Sequence, residues 1–345
     1  MGAPIVIGLL TVAPWVLPAQ FSTTLTNFYI LVIMSTMWNL LAGYAGMVSI
    51  GQQAFVGLGA YATLYFALKG INPFVTIPLA ILVCGLIAVP VNYLLFRLRG
   101  GYFSIATWVV ADTAMIVIGT VAILGGGTGR LMPGLQNLSP AETAHYSYLA
   151  AWLVALVVVF GTSLLLRSRL GLVLSAIRDN EVAARSSGAN VRAARRTVFI
   201  VAAAGCGAAG AVLTISQPFV QPTSVFSLQW AAEMLFVSMI GGLGTIEGPI
   251  VGSIIFFALQ QSLQQQGAWY LIIFGSLAVA VALWQPRGIW GAVRDRFHAE
   301  ILPVGHWVDE SASARRRPWH RRSSESATVP SDGSAPSPRP RRRSP

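Results

Sequence analysis

The chain has 345 residues, of which 54% are hydrophobic and only 10% charged, and its formal net charge is +11. A soluble protein carries roughly 25% charged residues to cover its surface, so a pair of soluble domains is excluded. Seven arginines against Asp179 and Glu181 lie in residues 167–196, and nine against Glu325 and Asp332 in residues 311–345. Met1 to Phe96 holds only Lys69, and Thr197 to Pro286 only Glu233 and Glu247. Basic clusters between and after apolar spans mark the cytoplasmic segments of a membrane protein, so they do not point to nucleic acid.

No cationic stretch precedes the first apolar run, which argues against a cleaved signal peptide, and Val6 stands where myristoylation needs Ser or Thr. A bilayer core of about 30 Å needs roughly 20 apolar residues per helix. On that ruler spans are expected near 3–19, 27–44, 51–68, 74–96, 102–124, 148–166, 197–216, 229–245, 249–266 and 269–285. Several are short and rich in Gly or Pro. The 51–68 and 229–266 stretches are candidates for broken or re-entrant segments, which a membrane tolerates only where protein covers the backbone. The fold class is therefore an all-α polytopic membrane protein of about ten transmembrane or partly re-entrant helices.

Gly43, Gly46, Gly51, Gly57 and Gly59 crowd the region before and within the third span, with Ala54 and Ala60 between them. Small residues let helix backbones approach closely, and they also permit unwound segments that expose carbonyls at mid-membrane. Asp112 lies about ten residues into its span, roughly 15 Å deep, where a lipid-facing carboxylate costs about 2.5–3.5 kcal/mol. It is expected to face the interior of the bundle, either on the path or hydrogen-bonded to another helix. Alternating ten spans puts Arg97 and Arg99, the segment 167–196, everything after Arg287 and the N-terminus on the cytoplasmic side.

Residues 167–196 are too polar to cross a membrane and too regular for a simple loop. Leu170, Val173, Leu174 and Ile177 recur at helical spacing, Gly188 falls where a C-terminal cap belongs, and Asn190 can cap a second helix. A short helix across the cytoplasmic face is expected. A permease domain over 1–296 then contains this segment. The tail 297–345, with seven prolines and two triple-arginine runs, is expected to be disordered from about 309.

Cys84 and Cys206 lie in apolar stretches, and the four histidines form no ligand pair, so neither a metal nor another cofactor is expected. No nucleophile–base set or paired carboxylates suggest an enzyme. The sole lysine sits in ALKGI, so a Walker A loop is missing.

The order Glu181-Val182-Ala183-Ala184-x-x-x-Gly188 resembles the EAA-type coupling loop of ABC importer permeases. GYAGMVSIGQQAFVGLGAY (43–61), RLRGGYFSIATWVVAD (97–112), GGGTG (125–129) and GGLGTIEGPIVGS (241–253) resemble the LivM group of branched-chain amino-acid permeases, in that family's order. The resemblance covers about residues 27–290. It departs after Asp112, where Thr113, Ala114 and Met115 replace the basic residue the family commonly has within a turn.

The resemblance implies a multi-pass subunit of the plasma (inner) membrane that imports branched-chain or other hydrophobic amino acids. It implies cytoplasmic ABC ATPase subunits, a second homologous permease and an extracytoplasmic solute-binding protein as partners, with membrane lipids around them. Arg178, Glu181, Ala183, Ala184 and Gly188 are the coupling candidates. Gly46, Ser49, Gln52, Gln53, Asp112 and Glu233 are the candidates for the translocation path. Urea or short amides are the neighbouring substrate class. An ion-coupled secondary transporter is the alternative of a different class, with Asp112 and Glu233 as its ionisable groups, although such a carrier has no need of the 167–196 segment.

Overall fold

Long apolar runs can satisfy their backbone groups in a bilayer only from within, and the chain accordingly folds as helices. A computed structural model of the chain describes residues 19–98, 100–135, 138–263, 269–285 and 288–297. The helices are α1 (Ala19–Asn39), α2 (Gln53–Leu68), α3 (Thr76–Leu95), α4 (Gly101–Gly119) and α5 (Pro140–Arg167). After them come α6 (Arg169–Asp179), α7 (Glu181–Ser186), α8 (Val191–Ser216), α9 (Pro222–Val225), α10 (Leu228–Gly241), α11 (Gly248–Leu263), α12 (Trp269–Trp284) and α13 (Gly288–Phe297). A π-helical turn, Leu40–Tyr44, ends α1. Two short strands, β1 (Arg130–Leu131) and β2 (Phe219–Val220), pair antiparallel.

Among the described residues six helical stretches are long and apolar enough to cross a membrane: Phe21–Tyr44, Thr76–Leu95, Gly101–Gly119, Pro140–Arg167, Val191–Ser216 and Pro222–Gly241. Gln53–Leu68 and Gly248–Leu263 are shorter and apolar. The sequence-derived span 3–19, all of which but its last residue precedes α1, and the tail beyond Phe297 lie outside the described residues. Two boundaries differ by half a span. The stretch read as beginning at 27 starts as α1 at Ala19, and the one read as beginning at 148 starts as α5 at Pro140. At Pro140 the cause is a capping box, in which the Ser139 hydroxyl accepts from the Glu142 N–H while the Glu142 carboxylate accepts from the Ser139 N–H.

The central helices are α1 and α8, whose apolar windows are 78% and 83% buried, against 28%, 17% and 28% for α3, α4 and α5. Their sequences explain the difference. The buried middle of α8 is all small, with Ala202, Ala203, Gly205, Cys206, Gly207, Ala208, Ala209, Gly210 and Ala211. Lipid supplies no hydrophobic drive between helices, so close backbone contact must hold them together. At Gly210 a Cβ would overlap the Val56 carbonyl oxygen of α2, and at Gly59 it would overlap the Gly207 carbonyl oxygen of α8.

Candidate functional site

The segment after α5 forms two helices rather than the single one its spacing suggests. Asn180 is extended (φ −160°, ψ 106°), which breaks the helix, and its Oδ1 accepts from the Val182 and Ala183 N–H groups to start α7. The helix α7 ends in a Schellman cap. The Gly188 N–H donates to the Arg185 carbonyl and the Ala189 N–H to the Ala184 carbonyl, with Gly188 at φ +85°. Asn190 then caps α8 through the Ala193 N–H. Ala183 is exposed and Ala184 is buried, so α7 has one small face outward and one against the bundle.

Glu181 opens α7 between two guanidinium groups, at 2.5 Å from Arg185 and 3.0 Å from Arg195. Partial burial acts to raise its carboxyl, but Arg195 and then Arg185 outweigh burial and hold it below the usual carboxylate value of 4.5. A carboxyl lowered by folding contributes stability above its unfolded value, and that contribution is lost as pH falls through the folded value. The brace on α7 is therefore expected to be intact at neutral pH and to loosen only below about pH 4.5. Protection of the 182–187 amides against hydrogen exchange, taken relative to the intrinsic rate at each pH, should fall there, and Glu181→Gln should remove the acid dependence.

Arg195 also reaches the membrane-embedded part of the chain. Its Nε donates to the Ala45 carbonyl at 3.3 Å, while its Nη2 holds Glu181. Ala45 begins the non-helical stretch that joins the π turn to α2, and side chains from three helices hold that stretch. The Trp38 indole N–H of α1 donates to the Ser49 carbonyl at 2.8 Å. From α4, the Ser104 hydroxyl donates to the Val48 carbonyl, and the Thr107 hydroxyl accepts from the Ile50 N–H at 3.2 Å. The loop 242–247 is tied to the end of α1 as well. The Asn39 carboxamide donates to the Thr245 carbonyl at 2.7 Å and accepts from the Gly244 N–H at 2.9 Å. Gly244 sits at φ +74°, which strains any other residue, and a Cβ there would lie 2.7 Å from Arg178 Nη1 and 3.2 Å from the Gly43 carbonyl oxygen. Arg97, Arg192, Arg195 and Arg196 meet Glu181 and Arg185 around a groove of about 800 Å³ that also includes Gly46.

The other path candidates are spread out. Ser49 is buried, and its hydroxyl accepts from the Gly51 N–H. Gln52 and Gln53, at the start of α2, are fully buried, and among the described residues neither carboxamide has a hydrogen-bond partner. An unpaired buried polar group costs about 1–3 kcal/mol. Glu233 is 4% exposed, accepts from Gln229 Nε2 at 2.8 Å, and lines a cavity of about 250 Å³. That cavity lies among α1, the end of α8, α10 and α11, and Asn27, Gln217, Gln260 and Gln261 add four more carboxamides. Gln52, Gln53 and Asp112 do not line it.

Asp112 departs from expectation. It is only half-buried on α4, the least covered of the long spans, and has no hydrogen-bond partner among the described residues. It shares a stripe with Ile105, Val109 and Ile116, each more than half exposed. The residues that sequence reasoning missed are Trp38, Asn39, Ser104, Thr107 and Arg195. Of these, only Asn39 stands out in an apolar run; the others look like ordinary helix residues until the chain is folded.

The pattern of the family described as "Branched-chain amino acid transport system / permease component" matches residues 20–282. The high-affinity branched-chain amino acid transport system permease protein LivM of Escherichia coli is 28% identical over 300 residues, covering 77% of this chain and 68% of that protein. Its counterpart from Salmonella typhimurium is 27% identical over 296 residues with the same coverage. A probable branched-chain amino acid transport permease protein LivM of Methanocaldococcus jannaschii is 21% identical, covering 78% of this chain and 92% of that protein. No solved structure matches.

Proposed function

Because this chain belongs to the permease component family of branched-chain amino acid transport systems, we propose that it forms the membrane path of an ATP-driven importer for branched-chain or other hydrophobic amino acids. It is a multi-pass membrane transport subunit rather than an enzyme, and membership of such a system implies ATPase and binding-protein partners. The observation that carries the coupling half of this reading is the chain of contacts Glu181–Arg195–Ala45. A load applied to α7 reaches the first residue of the unwound stretch through one guanidinium. Arg178 beside Gly244, and Asn39 clamping the same loop, offer a parallel route into α1 and α10.

In this reading the basic end is cytoplasmic, which the distribution of the arginines supports. The ATPase docks on Arg178, Glu181, Ala183, Ala184 and Gly188, and ATP is hydrolysed there rather than on this chain, which has no Walker A loop. Substrate passes Gly46, Ser49, Gln52 and Gln53, and the carboxamides of Gln52 and Gln53, unpaired among the described residues, gain partners when a zwitterion arrives. The Glu233 cavity lies on the same route and suits an ammonium group. A second, homologous permease completes the path, about ten spans including 3–19 cross the bilayer, and the tail beyond about residue 309 is dispensable for transport.

Two alternatives have particular observations behind them. The carboxamides around the Glu233 cavity would also bind urea or a short amide, and a buried carboxylate is what an ion-coupled carrier needs. Uptake into vesicles holding the assembled complex separates these readings. Transport of labelled leucine that follows internal ATP and survives a proton ionophore is the expected result. Transport that follows the proton gradient and ignores ATP would end the importer reading, and preference for urea over leucine would change the substrate. In the same assay Asp112→Asn is expected to keep near-normal uptake, because Asp112 lies away from the cavity.

A further inference from the structure

We propose that the outer face of α4 is covered in the assembled transporter by a second permease subunit, whose span gives Asp112 a hydrogen-bond donor. The inference rests on the reading of this chain as one of a permease pair, and it locates where the pair meets. The stripe Ile105–Val109–Asp112–Ile116 follows helical spacing of three and four residues, so all four side chains share one face. The three apolar members are 57%, 56% and 64% exposed, and Tyr102 one turn earlier is 77% exposed. A face of this kind would suit lipid if it were apolar throughout. It is not, because a carboxyl stands 11 residues into a 19-residue helix, about 16 Å along its axis and far from either headgroup layer.

A carboxyl at that depth must meet a donor, and among the described residues none does so. Side chains able to escape the bilayer are long and end near the surface, whereas aspartate is short and central. Lipid tails as the covering layer would leave the insertion cost of the carboxyl in place, which a partner with a donor avoids. The ATPase lies at the basic end, not at mid-membrane, so it is not the covering layer. What fits is a membrane span of another subunit that presents a hydroxyl, carboxamide or basic side chain at mid-depth.

The test places a photo-crosslinking residue at Val109 or Ile116 of the full chain, in the intact complex in native membranes, with Leu86 on the outer face of α3 as reference. Expected adducts at 109 and 116 carry the mass of this chain plus one permease subunit, at least about five times the yield from Leu86. Adducts with lipid alone, with the ATPase, or within this same chain would each overturn the proposal. A second readout uses Asp112→Leu, which a lipid-facing position would tolerate. Here it should lower the recovery of paired permease by about tenfold, because the partner's donor is left unpaired, while Asp112→Asn restores pairing. Unchanged pairing in Asp112→Leu would also sink the idea. Normal ATP-driven uptake without intersubunit adducts removes only this inference, whereas adducts without ATP-driven uptake remove only the importer reading.

Discussion

Replacing Ala183 with tryptophan is expected to abolish ATP-driven uptake, to below about a tenth of wild type, while the chain itself stays folded. The expectation comes from the contrast between two neighbouring alanines. Ala183 is exposed on α7, so an indole there meets no atom of this chain's core. Surface substitutions of that kind usually change stability by no more than about 0.5 kcal/mol. A partner that seats α7 in a close-fitting cleft has no such room. Ala184, one residue on, is 3% exposed and packs into the core, so Ala184→Trp should unfold α7 whatever docks outside. Co-purification of the ATPase and vesicle uptake, read together for both variants, separate docking from folding. Intact assembly and uptake in Ala183→Trp would remove α7 from the coupling role.

The second large effect is expected inside the bundle. Gly210→Val should prevent the chain from reaching its packed state, because the new Cβ would overlap the Val56 carbonyl oxygen and come within 3.0 Å of the Ala60 nitrogen. Both obstacles are backbone, and neither can rotate aside. Overpacking a core with side-chain freedom costs about 1–3 kcal/mol, and here the whole of α2 must shift, so the upper end or beyond is expected. Gly161 is the matched control, since a Cβ there meets nothing within 4 Å. Gly161→Ala in the interior of α5 should be neutral or stabilising by up to about 1 kcal/mol. Melting temperatures of the detergent-solubilised complex test the pair, and equal behaviour of the two variants would show that the α2–α8 approach is not what limits packing.

Much of this architecture was legible because bilayer physics leaves few choices. The spans from 74–96 onward each fall on a helix, with ends that differ by up to eight residues, and Gly188 and Asn190 take the cap positions that their residue types suggest. The start of α5 was legible too, in Ser139-Pro140-Ala141-Glu142, but a hydropathy ruler passes over a polar first turn. The break at Asn180 was harder, because asparagine inside an otherwise helical pattern marks a cap only once the chain is seen to turn. The tie between Arg195 and Ala45 spans 150 residues. No local pattern reports such a pairing, and an arginine just inside a helix reads equally well as a topology signal. Asp112 was placed toward the interior on energetic grounds that treat the chain as isolated. The structure puts it on the outer stripe, where the same energetics speak about a neighbour.

The bareness of α8 has a mechanical consequence. Interlocked helices resist sliding because each knob must leave its hole and each side chain must change rotamer before the next register is reached. Alanine and glycine have no rotamers to freeze or release. From Ala202 to Ala211 the surface that α2 and α3 pack on therefore carries no side chain longer than a cysteine's, and its glycines are notches that seat the Val56 carbonyl oxygen of α2 and the Cys84 thiol of α3. A slight axial shift needs no rotamer change on α8, but a full step brings an alanine methyl against the groups those notches hold. Such a surface works as a detent: it permits slight shear between packed helices and holds them to one register.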